Sequence, residues 1–149
     1  MQPRKSQLAV IVLLGALSFA AGNEAEPAFQ VVVNPANEVK TISRDELSKI
    51  FLRKVLAWRR WDGEATLPVD QKEGSAIRDA FILWVHKRSV LAVSHYWQQQ
   101  ALSGRGAPPP ERSNDTQVME YVADNPGAIG YVSLGARLSG VKTIQVTAE

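Results

Sequence analysis

The sequence predicts a single α/β domain: a small sheet, mostly parallel or mixed, flanked by helices. Three observations carry this expectation. Strand-like and helix-like segments alternate along the chain. The run Gln30-Val31-Val32-Val33 is β-branched and apolar without polar alternation, as in strands covered on both faces. Finally, Ala65-Thr66-Leu67-Pro68-Val69, a turn at Gly74, and Ile77, Phe81, Leu83, Trp84 and Val85 at roughly helical spacing read as strand, turn and helix.

With 149 residues the chain has length for one domain with its own core. Residues 1–22 read as an export signal: Arg4 and Lys5 precede an apolar run at 8–17, and Ser18-Phe19-Ala20-Ala21-Gly22 supplies small residues for cleavage. The apolar run is short for a membrane span, so contact with a membrane is expected only through this segment if it stays uncleaved. Removing it leaves 15 basic against 15 acidic residues. A neutral exported protein gives no electrostatic argument for nucleic acid, and any preference for anions must be local. There is no cysteine, hence no disulfide, thiolate nucleophile or thiolate metal site.

Residues 23–30 are expected to be a polar lead, with the domain proper running over 31–149. Ser43 and Glu46 form a capping box with Ile42 and Leu47 as its hydrophobic staple, and Leu47, Ile50, Phe51 and Val55 give the helix one apolar face. Trp58-Arg59-Arg60-Trp61-Asp62-Gly63 is a loop in which Trp58 closes the end of the core and the arginines face solvent; stacking on a sugar or base is the alternative. A helix starts at Ser89 and stops near Gly104. The proline-rich loop at 104–110 is read as a connector, with a lid or a docking strip as the alternatives. Ser113 or Asn114 caps another helix, which Asn125-Pro126-Gly127 ends, and strands are expected at 128–132 and 141–146.

The chemistry-bearing stretch is Asp70-Gln71-Lys72-Glu73-Gly74-Ser75-Ala76-Ile77-Arg78. Gly74 tolerates the positive φ of a tight turn, Ser75 caps the first amides of the helix, and Arg78 adds a charge one turn in. Helix starts of this kind attract anions. The bland alternative is a cap and nothing more. Asp70 and Glu73 lack apolar neighbours in sequence to raise a carboxyl pKa, which argues against a general acid/base pair. His86 and His95 lack metal-ligand spacing, and no nucleophile elbow, P-loop or dinucleotide fingerprint appears, so neither an enzyme nor a cofactor is expected.

Several stretches together resemble one family. Ile42-Ser43-Arg44-Asp45-Glu46-Leu47, followed by Ile50-Phe51-Leu52, Lys54 and Trp58, is similar to the L-S-x-x-x-L-x-x-I-F-x-G-K-x-x-x-W signature of phosphate-binding proteins of ABC transporters. Gly74-Ser75 with Phe81 resembles their R-x-x-G-S-G-T-x-x-x-F phosphate loop, and Gly127-Ala128-Ile129-Gly130-Tyr131-Val132 their x-G-A-I-G-Y-V strand. The resemblance implies one lobe of a periplasmic-binding-protein fold, with Gly74, Ser75, Ala76, Gln71 and Arg78 around phosphate or a related oxyanion. Gln71 stands where the family has arginine, Ala76 and Ile77 where it has Gly-Thr, and Arg53 where it has glycine. Only one of the family's two lobes has a counterpart. The reading that follows is a periplasmic solute-binding-like protein linked to ABC-type phosphate uptake, with a permease as partner. The alternatives are an adaptor or sensor that uses the fold to bind an envelope protein, and a homodimer that rebuilds a cleft.

Overall fold

The computed structural model describes residues 26–149. The export signal read at 1–22 lies outside the described residues. Eight strands and four helices follow in order: β1 Phe29–Val33, β2 Thr41–Ser43, α1 Arg44–Phe51, β3 Leu67–Pro68, β4 Asp70–Gln71, α2 Ala76–Phe81, α3 Val90–Leu102, β5 Glu111–Arg112, α4 Asp115–Asp124, β6 Ala128–Ser133, β7 Lys142–Thr143 and β8 Gln145–Thr147. Between α2 and α3 the helix widens to a π-helical turn over Ile82–His86.

The central sheet has the order β3-β6-β1-β7 and is mixed: β1 runs antiparallel to β6 and β7, while β3 is parallel to β6. Two short parallel pairs, β2-β8 and β4-β5, flank it. The unbroken apolar run of β1 is covered on both faces, as expected. Phe29, Val31 and Val33 join Ile129 and Tyr131 of β6 on the face packed by α1 and α2, while Val32 joins Val69, Ala128 and Val132 against Val118 and Val122 of α4. The period-2 alternation of a strand thus feeds two cores at once. Gly130 is what lets α4 approach: a Cβ there would lie 2.7 Å from Val118 Cγ1 and 2.9 Å from Val69 Cγ1.

Two boundaries differ from the sequence expectation. The strand begins at Phe29, itself buried, so the domain starts before residue 31. The single strand expected at 141–146 divides at buried Ile144 into β7 on β1 and β8 on β2, because the chain crosses from the central sheet to the outer pair. Helix entries follow the sequence closely. Ser43, Ser75, Ser89 and Asn114 are the four N-caps, and each side chain accepts the amide three residues on. Trp58 is buried and its indole N–H donates to the Gly127 carbonyl at 3.0 Å, with Arg59 and Arg60 exposed.

Among the described residues two that are not glycine hold left-handed conformations, Arg53 at φ 57° and Lys87 at φ 52°. Arg53 ends α1 where the resembling family has glycine, and its guanidinium donates to the Thr66 carbonyl at 3.1 Å. Lys87 ends the π-helical turn. Lys87→Gly removes the Cβ clash of that conformation and is expected to stabilise the fold by about 0.5–1 kcal/mol in urea unfolding.

Candidate functional site

The site is built where β4 hands the chain to α2. Ser75 N–H donates to the Lys72 carbonyl at 3.1 Å, closing a turn in which Gly74 sits at φ 81°. Ser75 itself is extended, and its Oγ accepts from Arg78 N–H at 3.4 Å. An oxygen that accepts the cap bond keeps its own proton to donate. The amides of Ala76 and Ile77 open the helix, where geometry supplies no intrahelical acceptor. Those three donors are what the α2 entry offers to an anion.

Beneath the entry lies a buried polar network. Tyr131 O–H donates to Asp70 Oδ1, and the phenol ring stacks on Phe81 at 3.8 Å between centroids with 7° between planes. Gln71 N–H donates to the same Asp70 oxygen at 3.0 Å. Burial raises the Asp70 carboxyl above its ordinary value, against the opposing pull of Arg78 and Tyr131. Burial also pushes the Tyr131 phenol up, and the Asp70 charge adds to this. The sequence expectation that nothing raises the Asp70 carboxyl is thereby corrected: burial comes from α2 close by in the chain and from Tyr131 of β6, 61 positions away.

Two residues expected as anion ligands are spent elsewhere. Gln71 is buried, and its amide donates to Asp115 Oδ1 at 2.9 Å and to the Tyr131 carbonyl at 3.0 Å, so both N–H groups are used inside the fold. Arg78 bridges elements: its Nη1 donates to Glu111 Oε1 and, at 3.1 Å, to the Gln71 carbonyl, while Nε lies 3.7 Å from Asp70 Oδ2. Only 12% of its side chain is exposed. With a carboxylate on each side, Arg78 ties α2 to β4 and β5 and offers little net charge to a ligand. Gly74, Ser75 and Ala76 do stand together at the entry.

A groove of about 580 Å³ runs beside the entry, walled by Gly74 and Arg78, by Ile82, Val93 and Trp97, and by Pro109 of the proline-rich connector. That connector is fixed to the site: the Pro110 carbonyl accepts from Asp70 N–H at 2.9 Å. His86 packs between helices, with Nδ1 2.8 Å from Ser48 Oγ and its ring edge-on to Phe81. Among the described residues no group of three His, Cys, Asp or Glu side chains converges as a metal site, and no helix is long and apolar enough to cross a membrane. Sequence reasoning gave no polar role to Tyr131 inside β6, Glu111 in β5 or Asp115 at the start of α4, because the partners they hold lie 61, 33 and 44 positions away in the chain.

Comparison with known proteins bears on this arrangement. The model of the PBP superfamily domain matches residues 25–146. The phosphate-binding protein PstS of Bacillus subtilis (strain 168) is 35% identical over 107 residues, which cover 68% of this chain and 29% of that protein. Among solved structures, an ABC-type phosphate transport receptor from Vibrio cholerae aligns with a TM-score of 0.63 at 22% identity, over 80% of this chain and 46% of the receptor. A putative phosphate ABC transporter substrate-binding protein from Clostridium perfringens, solved with bound phosphate, aligns at 0.61 and 19% identity, over 80% and 44%. The chain thus spans less than half of either solved protein and under a third of the curated relative. It belongs to the PBP superfamily and is a homologue of the PstS-type phosphate-binding proteins.

Proposed function

We propose that this protein is an exported, periplasmic receptor lobe for phosphate or a related oxyanion, acting alongside ABC-type phosphate uptake and not as an enzyme. The observation that carries the reading is the α2 entry, where the Ser75 hydroxyl and the amides of Ala76 and Ile77 meet over a left-handed Gly74. Relatives named for phosphate binding support the ligand class. Affinity is expected to be weak, roughly millimolar, because Arg78 is already paired and an open entry leaves the ion largely hydrated. The residues that hold the site are Gly74, Ser75, Ala76 and Ile77.

Calorimetric titration with phosphate and sulfate tests this. Ser75→Gly retains most of the stability of the helix entry, costing only about a few tenths of a kcal/mol, but deletes the hydroxyl. Phosphate affinity is expected to fall about fivefold or more in that variant, and equal binding before and after substitution would sink the assignment. A second reading is favoured by the groove beside the entry and by the commitment of Gln71 and Arg78 to internal bonds: an adaptor that binds an envelope protein, such as a permease, or a second copy of itself. Flat titrations of folded protein, with gel filtration showing a partner-dependent shift, favour it.

A further inference from the structure

A second, cationic concavity lies elsewhere among the described residues. A pocket of about 320 Å³ opens between the end of α1 and the end of the π-helical turn, and it shares no lining residue with the groove at the α2 entry. Five cations line it, Arg44, Lys49, Lys54, Lys87 and Arg88, against two carboxylates, Asp45 and Glu149. Lys49 is neutralised by Asp45 at 2.6 Å, and Arg44 lies 3.9 Å over the Trp84 ring. Lys54 sits 5.5 Å from the centroid of Tyr96, and among the described residues Lys54, Lys87 and Arg88 have no carboxylate partner. Lys54, Lys87 and Arg88 thus face one remaining carboxylate side chain, Glu149, which leaves the pocket cationic.

A neutral polar wall completes it. His86 Nδ1 and Ser48 Oγ are hydrogen-bonded at 2.8 Å. When Ser48 is the donor, the ring carries its proton on Nε2 and becomes a donor in turn. Burial, with Arg88 and Lys54 close by, holds the imidazole down to a pKa of about 4, so the ring is uncharged at neutral pH although cations surround it. Lys87, in its left-handed conformation, turns the chain at the mouth and sets two cations side by side. The left-handed cost is carried by a lysine where glycine would hold the turn more easily.

We propose that this pocket is an anion site distinct from the α2 entry, built for a multiply charged phosphate-bearing group, with Lys54, Lys87 and Arg88 as its charge partners. The proposal does not rest on phosphate binding at Ser75. The phosphate group has two sources, a free polyanion or a lipid headgroup, and the same side chains serve either.

The test follows the His86 ring protons by NMR while pyrophosphate is added to the whole protein. A bound anion cancels the repulsion from Arg88 and Lys54, so the His86 titration midpoint is expected to rise by about one pH unit or more. The surface substitutions Lys54→Met and Arg88→Met, combined, are expected to weaken pyrophosphate at least tenfold. Binding unchanged in the double variant overturns the proposal, as does an unmoved His86 midpoint when neither pyrophosphate nor phosphatidylglycerol vesicles bind. Vesicle sedimentation abolished by the double variant assigns the group to a lipid headgroup; pyrophosphate binding without vesicle binding assigns it to a free anion. Because His86 reports this pocket locally, failure here leaves the Ser75→Gly titration to stand or fall alone.

Discussion

Gly127→Ala is expected to destabilise the protein by about 3 kcal/mol, at the upper end of what overpacking costs. A Cβ at this position would lie 2.1 Å from the backbone carbonyl oxygen of Ala65 and 3.1 Å from Glu64 Oε1. The first of these is backbone and cannot swing aside. Moving it would pull on both elements that Gly127 joins, since its own carbonyl accepts from Leu67 N–H and from the Trp58 indole, each at 3.0 Å. The entry of β3 beside β6 and the lid over one end of the core would loosen together. Gly135→Ala, where added Cβ meets open space, is the control and is expected to stay within about 0.5 kcal/mol of wild type. Urea unfolding of both variants checks the contrast. A Gly127→Ala protein as stable as the control would mean that the Ala65 segment yields freely, and that the closeness of this turn has no structural weight.

The same glycine shows what could be read from the chain alone. Gly127 and Gly130 both lie in the stretch that carried the family resemblance, and both prove to be places where a side chain has no room. Local chemistry was equally legible: the caps Ser43, Ser75, Ser89 and Asn114 each needed only an oxygen three residues ahead of an amide. What was not legible depends on residues far apart in sequence. The Asp70–Tyr131 bond spans 61 positions, and the bond from Gln71 to Asp115 spans 44. No periodicity encodes such pairings, so Gln71 and Arg78 looked available to a ligand when the fold had already used them. The direction of each strand pairing was open in the sequence for a related reason. A run such as Val31-Val32-Val33 announces burial on both faces, which parallel and antiparallel neighbours satisfy equally well.

Acid is expected to weaken the fold through His86. Its pKa is about 4 in the folded protein against an ordinary 6.5, because burial first, and Arg88 and Lys54 after it, disfavour the charged ring. The unfolded chain therefore takes up a proton before the folded one does, and stability is lost as pH falls from 6.5 towards 4. Integrated over that window the loss is about 3 kcal/mol, of which about 2–3 is felt between pH 7 and 4.5. Asp70 acts in the opposite sense: its carboxyl is raised above 3.8, so the folded state protonates first, and lowering the pH relieves a cost instead of adding one. His86→Gln isolates the imidazole, since it removes the titration while keeping a polar group near Ser48. Urea unfolding at several pH values should then show a slope flattened by about 2–3 kcal/mol over the window, whatever the variant's stability at pH 7. An unchanged slope would mean that His86 protonates in place without cost, and that the surrounding cations do not act on it. The two outcomes also bear on the basic pocket: an anion seated among Lys54, Lys87 and Arg88 raises the His86 pKa, so pyrophosphate should flatten the acid limb of the wild-type protein and leave that of His86→Gln as it was.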